Sequence, residues 1–175
     1  MNIKPQRLKK LLRNMIDIYS PSGKEQEILE FLHTALRRNG LPVIKQEVDE
    51  NRYNLVVLPE DEVELALVGH LDTVPAYDLD NFYFDEEDGI VSGLGAADMK
   101  GGCAAMIEAF MQSWQEGRRP PVALALVVGE EEEGDGAEAL SGEYHLPWAV
   151  IGEPTELKPC LSNYGYLEIQ LSTKG

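Results

Sequence analysis

Apolar residues near the start of the chain recur every three or four positions, which is the spacing of one face of an α-helix. This pattern predicts an amphipathic helix over residues 5–18 and a second one over residues 24–38. Ser22 lies between them and Glu25 follows three residues later, so a capping box is expected to begin the second helix. Asn39-Gly40 supplies a common stop signal at its end.

Further along the chain, short apolar runs alternate with segments that favour helices or turns. Helices are predicted over residues 100–116 and 134–140, and an acidic loop is predicted at 85–89. Runs that are apolar throughout are typical of parallel strands, because helices cover both faces of such a sheet. The sequence therefore predicts an α/β fold with a mostly parallel central sheet flanked by helices. Strands are expected at 42–48, 53–58, 63–69, 90–93, 122–128, 148–152 and 166–172.

Chemically distinctive residues follow the ends of these predicted strands. His70 comes directly after LALVG, Glu130 and Glu131 come directly after VALALVVG, and Glu153 comes directly after WAVIG. Asp98 lies in the glycine-rich turn GLGAADMKGG, between a short strand and a helix. Ligands of open α/β sheets bind beyond the carboxyl ends of the strands, so these side chains are expected to meet at one edge.

An imidazole surrounded by carboxylates, with no thiolate, suits Zn²⁺ or a similar divalent cation. Asp98, Glu131 and Glu153, together with a bridging hydroxide, would balance the charge of two divalent ions, and a partly buried site favours neutrality. Asp72 is expected to accept the second ring N–H of His70 and so to fix its tautomer.

The acidic run at positions 130–133 leaves the active pair open. Glu130 and Glu131 directly follow a buried strand, which favours a functional role for them. Glu132 and Glu133 are expected to lie in a solvated loop.

Composition narrows the classes of partner. The chain has 31 Asp and Glu residues against 15 Lys and Arg, a formal net charge of −16, which repels nucleic acid. Its longest apolar run, 122–128, is too short to cross a bilayer, and the start lacks the pattern of a secretion signal. Two cysteines make no disulfide framework, so a cytoplasmic location is expected.

Several ordered motifs together resemble one family. YSPSGKE, GHLDTVP, GLGAADMKGG, the glutamate pair and IGEPT look like the di-zinc aminoacylase and carboxypeptidase G-type metallohydrolases. That family includes acetylornithine deacetylase, acetyl-lysine deacetylase and succinyl-diaminopimelate desuccinylase. The resemblance implies a zinc exopeptidase-like catalytic domain with two divalent metal ions, zinc or alternatively cobalt. It also implies a homodimer that hydrolyses the amide bond of an N-acyl amino acid or small peptide, with a metal-bridged water and a glutamate base.

The resemblance also implies a role for each motif residue. His70 and Glu153 would be metal ligands, Asp98 would bridge both metals, and Asp72 would orient His70. The family places a Gly-Ala or Gly-Ser pair five residues after its ligand glutamate. Gly136-Ala137 therefore makes Glu131 the ligand and Glu130 the general base, with Glu132 as ligand and Glu131 as base the alternative.

The resemblance further implies that the family chain is longer than these 175 residues. Residues 1–165 would be the N-terminal part of the catalytic domain and 166–175 the start of a lid and dimerisation domain. A further His ligand would follow, so these residues alone are expected to be inactive. The alternatives are a catalytically inactive metal-binding fragment or paralogue of the same fold, and an acidic interaction module without metal.

Overall fold

The structure is a computed structural model, and it describes residues 3–158, 161–162, 165, 167, 169 and 171–174. Its helices are α1 (Pro5–Asp17), α2 (Gln26–Arg38), α3 (Gly101–Gln115) and α4 (Asp135–Glu143). Its strands are β1 (Ile44–Glu47), β2 (Tyr53–Val57), β3 (Leu65–His70), β4 (Asp85–Glu87), β5 (Ile90–Ser92), β6 (Val122–Val127) and β7 (Ala149–Ile151). These elements lie where the apolar pattern predicts them, apart from β4.

The central sheet has the strand order β1-β2-β6-β3-β7. β3 pairs in parallel with β6 on one side and with β7 on the other. β2 pairs antiparallel with both β1 and β6. Four of these five strands therefore run in the same direction and β2 runs against them, which confirms the mostly parallel α/β sheet.

Helices cover both faces of this sheet. Leu124 and Leu126 of β6 belong to the hydrophobic cluster that also contains buried residues of α1, α2 and α3. Ala125 and Val127 of the same strand pack instead with Leu140 of α4. Because successive residues of a strand point to opposite faces, three helices cover one face and α4 covers the other.

The expectation of an acidic loop at 85–89 is wrong. β4 and β5 form an antiparallel hairpin, joined by Asp88 and Gly89, whose φ angles are 51° and 78°. Asp-Gly is a favoured sequence for a two-residue hairpin turn of this kind. Because four of the five residues in this segment are acidic, the sequence favoured a loop over a hairpin turn.

The expected capping box is also wrong. α2 begins at Gln26, and no side chain caps its first turn. The Ser22 hydroxyl donates instead to a carboxylate oxygen of Asp72, at 2.6 Å.

Two expectations fall on the end of the chain. The predicted strand over 166–172 and the proposed start of a lid at 166–175 include residues outside those described, so both stay predictions. Among the residues that are described, none of the helices is long and apolar enough to span a membrane.

Candidate metal centre

The sheet order brings the segments that follow three strands to the same edge. His70 is the last residue of β3, the strand that lies between β6 and β7. It pairs in register with Val127, the last residue of β6, so Glu130 follows a few residues beyond that pair. Glu153 comes two residues after the end of β7, on the opposite side of β3. The topology therefore places an imidazole between two acidic segments.

The described side chains converge on one ring nitrogen of His70. Its Nε2 lies 3.1 Å from Oδ1 of Asp98, 3.5 Å from Oε1 of Glu153 and 3.7 Å from Oε2 of Glu130. The imidazole is 1% exposed, whereas Asp98 and Glu130 are 56% and 48% exposed. The site is thus anchored in the core and open to solvent on its acidic side.

Two groups of side chains could hold a metal ion. One consists of His70, Asp98 and Glu153, and the other of His70, Glu130 and Glu131; within each group the ligand atoms lie within 4.8 Å of one another. The structure therefore brings all four residues expected as ligands to one place, together with the expected base. Glu130 itself lies within reach of a ligand position, which the sequence reasoning did not anticipate.

Asp72 connects the histidine to the glutamate turn. Its carboxylate accepts hydrogen bonds from the main-chain N–H groups of Glu130 and Glu131, at 3.2 and 3.0 Å, and from the Ser22 hydroxyl. Nδ1 of His70 lies 2.9 Å from the main-chain carbonyl oxygen of Asp72 and 3.5 Å from its carboxylate Oδ1. The nearest acceptor for the ring N–H is therefore the carbonyl and not the carboxylate that the sequence suggested.

This hydrogen bond makes the site suitable for a cation. When Nδ1–H donates to the carbonyl oxygen, the Nε2 lone pair of a neutral His70 faces Asp98, Glu153 and Glu130. A lone pair and several carboxylates at such distances repel one another unless a proton or a metal ion lies between them. Nitrogen and oxygen donors without sulfur are chemically suited to Zn²⁺ and related ions.

The pKa values express the same repulsion. Burial lowers the pKa of His70, but the adjacent Asp72, Glu153 and Glu130 carboxylates outweigh it and raise the pKa to about 9. Burial raises the pKa of Glu153, and the neighbouring Asp98 carboxylate adds to this, so that it reaches about 7. Burial and the Asp98 carboxylate also raise the pKa of Glu131. A positive charge at this position would offset the negative charge of the carboxylates, which contributes to all three raised pKa values.

Asp72 behaves in the opposite way. Burial raises the pKa of its carboxyl, but the adjacent His70 imidazole, together with hydrogen bonds from Ser22 and the Glu131 amide, outweighs this effect and lowers the pKa to about 2. A carboxylate held ionised by several donors is suited to orienting neighbours rather than to exchanging protons.

The Asp98 turn is positioned by close main-chain packing. A Cβ on Gly102, at the start of α3, would lie 2.2 Å from the carbonyl oxygen of Gly152. Only a glycine permits this approach, which brings the segment that carries Asp98 against the segment that carries Glu153. The peptide bond that follows Asp98 is cis.

Two polar residues near the site, the partly buried Ser22 and the fully buried Lys100, were not identified from the sequence. Ser22 was assigned to a helix cap, although the motif YSPSGKE was recognised as part of the family resemblance. Lys100, two residues after Asp98, is fully buried, and its Nζ donates to the main-chain oxygen of Ile18 at 2.9 Å. Burial lowers the pKa of this lysine to about 8. A lysine in a glycine-rich turn gives no signal that it will be buried.

Known proteins resemble this chain in sequence and in fold. The sequence profile described as Peptidase family M20/M25/M40 matches residues 66–164, more than half of the chain. A probable carboxypeptidase of Aspergillus flavus is 32% identical over 93% of this chain and 43% of its own length. A probable succinyl-diaminopimelate desuccinylase of Staphylococcus epidermidis is 30% identical over 95% of this chain and 44% of its own. The crystal structure of a tripeptidase from Staphylococcus aureus matches with a TM-score of 0.65 and 27% identity, over 85% of this chain and 43% of that one.

The chain therefore spans less than half the length of these relatives. The matched region contains every residue of the candidate centre, from His70 to Glu153.

Proposed function

Because the chain belongs to peptidase family M20/M25/M40, we propose that it provides the metal-binding part of a hydrolase that cleaves an amide bond. The observation that carries this proposal is the buried His70, whose Nε2 faces three carboxylates at the carboxyl edge of the sheet. The substrate class is an N-acyl amino acid or a small peptide. The names of the relatives, a carboxypeptidase, a desuccinylase and a tripeptidase, support both alternatives.

Two divalent cations, zinc in the first instance, would be held by the chain's own carboxylates and imidazole. His70, Asp98 and Glu153 would bind one cation, and Asp98 and Glu131 would contribute to the second. When bound, such a pair polarises the substrate carbonyl and lowers the pKa of the attacking water.

Glu130 is the proposed general base. It accepts a proton as water adds to the amide carbonyl, and it returns that proton to the nitrogen as the C–N bond breaks, so that a carboxylic acid and an amine are released. Its exposed side chain reaches the site, and its main-chain N–H is held by Asp72. Asp72 acts as a positioning residue, because it binds the glutamate turn and carries the carbonyl that receives the His70 ring N–H.

The alternative assignment, with Glu131 as base and Glu132 as ligand, has less support. Glu132 is exposed and belongs to neither group of candidate ligands among the described residues.

The test of this function is turnover. The 175-residue chain, and the longer protein if one exists, should be supplied with zinc and assayed with N-succinyl-diaminopimelate, N-acetylornithine and short peptides. Release of a free amine that a chelator abolishes supports the proposal. Metal binding with no turnover by any form of the protein would favour the second candidate, a non-catalytic metal-binding domain of the same fold.

A further inference from the structure

The turn that carries the four glutamates is held at its two ends by two residues of the β2 region. Arg52 directly precedes β2 and Asn54 lies within it, and β2 is the antiparallel neighbour of β6. Neither residue belongs to the candidate metal centre. Both contact the two ends of the turn between β6 and α4.

Asn54 joins the end of β6 to the first turn of α4. It is fully buried, its Oδ1 accepts a hydrogen bond from the Val128 N–H at 3.2 Å, and its Nδ2 donates to the Gly136 carbonyl at 2.8 Å. Nδ2 also donates to Oε1 of Gln46 at 2.9 Å. One amide therefore fixes both Val128, directly before the glutamate turn, and Gly136, in the first turn of α4.

Arg52 pairs by charge with the first residue of α4 and packs against Gly129 at the other end of the turn. Its guanidinium pairs with Asp135, the first residue of α4, and Nε donates to Asp49 at 2.7 Å. A Cβ on Gly129 would lie 2.1 Å from Oδ1 of Asp135 and 2.9 Å from Nη1 of Arg52. The ion pair therefore packs against the main chain of Gly129, the residue directly before Glu130.

A fixed register matters here because the turn contains four chemically identical side chains. Gly129 and Gly134, at its two ends, have φ angles of 70° and 69°, a conformation that glycine adopts without strain. A shift by one residue would present Glu131 and Glu132 to the site in place of Glu130 and Glu131. Such a shift would have to break the hydrogen bonds of Asn54 and the ion pair of Arg52.

We propose that Arg52 and Asn54 are positioning residues that determine which two of the four glutamates reach the metal ligands. This proposal rests on the proposed function, since it assigns a task to the glutamate pair of that site. Asp72 binds the middle of the turn through the Glu130 and Glu131 amides. Arg52 and Asn54 bind its two ends.

The test measures metal affinity, not only turnover. Cobalt titration of the 175-residue chain, followed by visible absorption and calorimetry, is compared for wild type, Arg52→Met and Asn54→Leu. Loss of a group that orients metal ligands typically lowers affinity about 10–100-fold, and we expect a loss in that range for both variants. The milder Arg52→Lys and Asn54→Asp, which retain a charge or one acceptor, should lose less affinity, and they replace the first pair if either fails to fold.

Arg7→Met is the matched control. Arg7 also binds a buried carboxylate, that of Glu108, through Nε at 2.5 Å, but it does so between α1 and α3. The Arg7→Met substitution should lower the melting temperature and leave cobalt affinity unchanged. If Arg7→Met loses as much affinity as Arg52→Met at a similar loss of stability, the β2 residues are merely structural and the proposal is wrong.

Double variants show which two of the four glutamates face the metal ligands. In the wild-type background, Glu131→Gln should weaken cobalt binding and Glu132→Gln should not. In the Asn54→Leu background, Glu132→Gln should acquire an effect, because the turn is free to shift. Full cobalt affinity in Arg52→Met and Asn54→Leu, or an unchanged difference between the two glutamates, would contradict the proposal. Absence of turnover with metal binding intact would contradict only the proposed function, and absence of metal binding in wild type would contradict both.

Discussion

At the scale of single residues, Glu130 and Glu131 are neighbours in sequence with different proposed tasks. In the full-length enzyme, Glu130→Gln should retain both metals and lower turnover at least ~100-fold, because an amide cannot accept the proton of the attacking water. Steady-state kinetics together with metal analysis measure this. Glu133→Gln, at an exposed position in the same turn, serves as the control and should keep wild-type turnover. Full activity in Glu130→Gln, with Glu131→Gln inactive but metal-loaded, would move the catalytic pair by one residue.

Ser22 makes a second prediction at this scale. Ser22→Ala removes a 2.6 Å hydrogen bond to the buried, ionised Asp72, and hydrogen bonds to charged groups contribute about 1.5–3 kcal/mol. Urea unfolding should show a loss in that range. Ser141→Ala is the control, since Ser141 donates only to the Glu138 carbonyl on an exposed surface and should change stability little. Equal losses in the two variants would show that the Ser22 hydrogen bond has no special importance.

Single residues also show what the sequence could place and what it could not. His70 and Glu153 could be placed at the sheet edge because each directly follows an apolar run that forms a strand. Arg52 and Asn54 gave no such signal. Their proposed role depends on β2 lying antiparallel beside β6, a pairing of residues 67 to 71 positions apart that no local pattern specifies.

At the scale of elements, β3 is decisive because it lies between β6 and β7. The apolar runs predicted all three strands, and a parallel arrangement was enough to place their carboxyl ends together. The hairpin of β4 and β5 was missed, since its first strand is entirely acidic and only the Asp88-Gly89 turn identifies it. Strand prediction from hydrophobicity fails where neither face of a strand is buried.

The contact between α3 and the end of β7 gives a prediction at this scale. Gly102→Ala places a methyl group 2.2 Å from the Gly152 carbonyl, so the segments that carry Asp98 and Glu153 must separate. We expect a loss of about 1–3 kcal/mol of stability, as for other overpacked sites, with weaker zinc binding. Gly142→Ala, where an added methyl group meets nothing within 4 Å, should be neutral or slightly stabilising. Thermal melts and zinc calorimetry compare the two, and wild-type zinc affinity in Gly102→Ala would contradict the predicted contact.

At the scale of the whole molecule, clustered acidity predicts a pH dependence for the metal-free protein. Folding raises the pKa of Glu153 from 4.5 to about 7 and that of His70 from 6.5 to about 9. Both groups bind more protons in the folded state than in the unfolded state, so the free energy of unfolding decreases as pH rises through this window. The pKa of Asp72 is lowered to about 2. Protonation of this carboxyl therefore decreases the free energy of unfolding only in more acidic solution.

Thermal melts of chelator-treated protein at about pH 5 and about pH 8.5 should therefore show the lower melting temperature at the higher pH. Glu153→Gln should reduce the difference, because it removes one of the two raised groups. Zinc at a hundred times its dissociation constant should add about 2.7 kcal/mol of stability and be most effective above neutrality. A metal-free protein that melts higher at the alkaline pH would contradict the repulsion inferred for this site.

The fold class and the family were within reach of the sequence, and the match to residues 66–164 confirms the family. The lid and the homodimer stay predictions, because nothing in the described residues tests them. The chain spans less than half the length of its relatives, so substrate choice stays a proposal.

The most direct test is the zinc content of the desalted 175-residue protein, measured by native mass spectrometry and calorimetry for wild type and His70→Ala. Because His70 belongs to both groups of candidate ligands, wild type should bind zinc, with one tight site and one weaker site, and His70→Ala should lose the tight site. Wild-type protein that binds no zinc, or zinc binding that His70→Ala leaves unchanged, would contradict a metal centre at the carboxyl edge of β3.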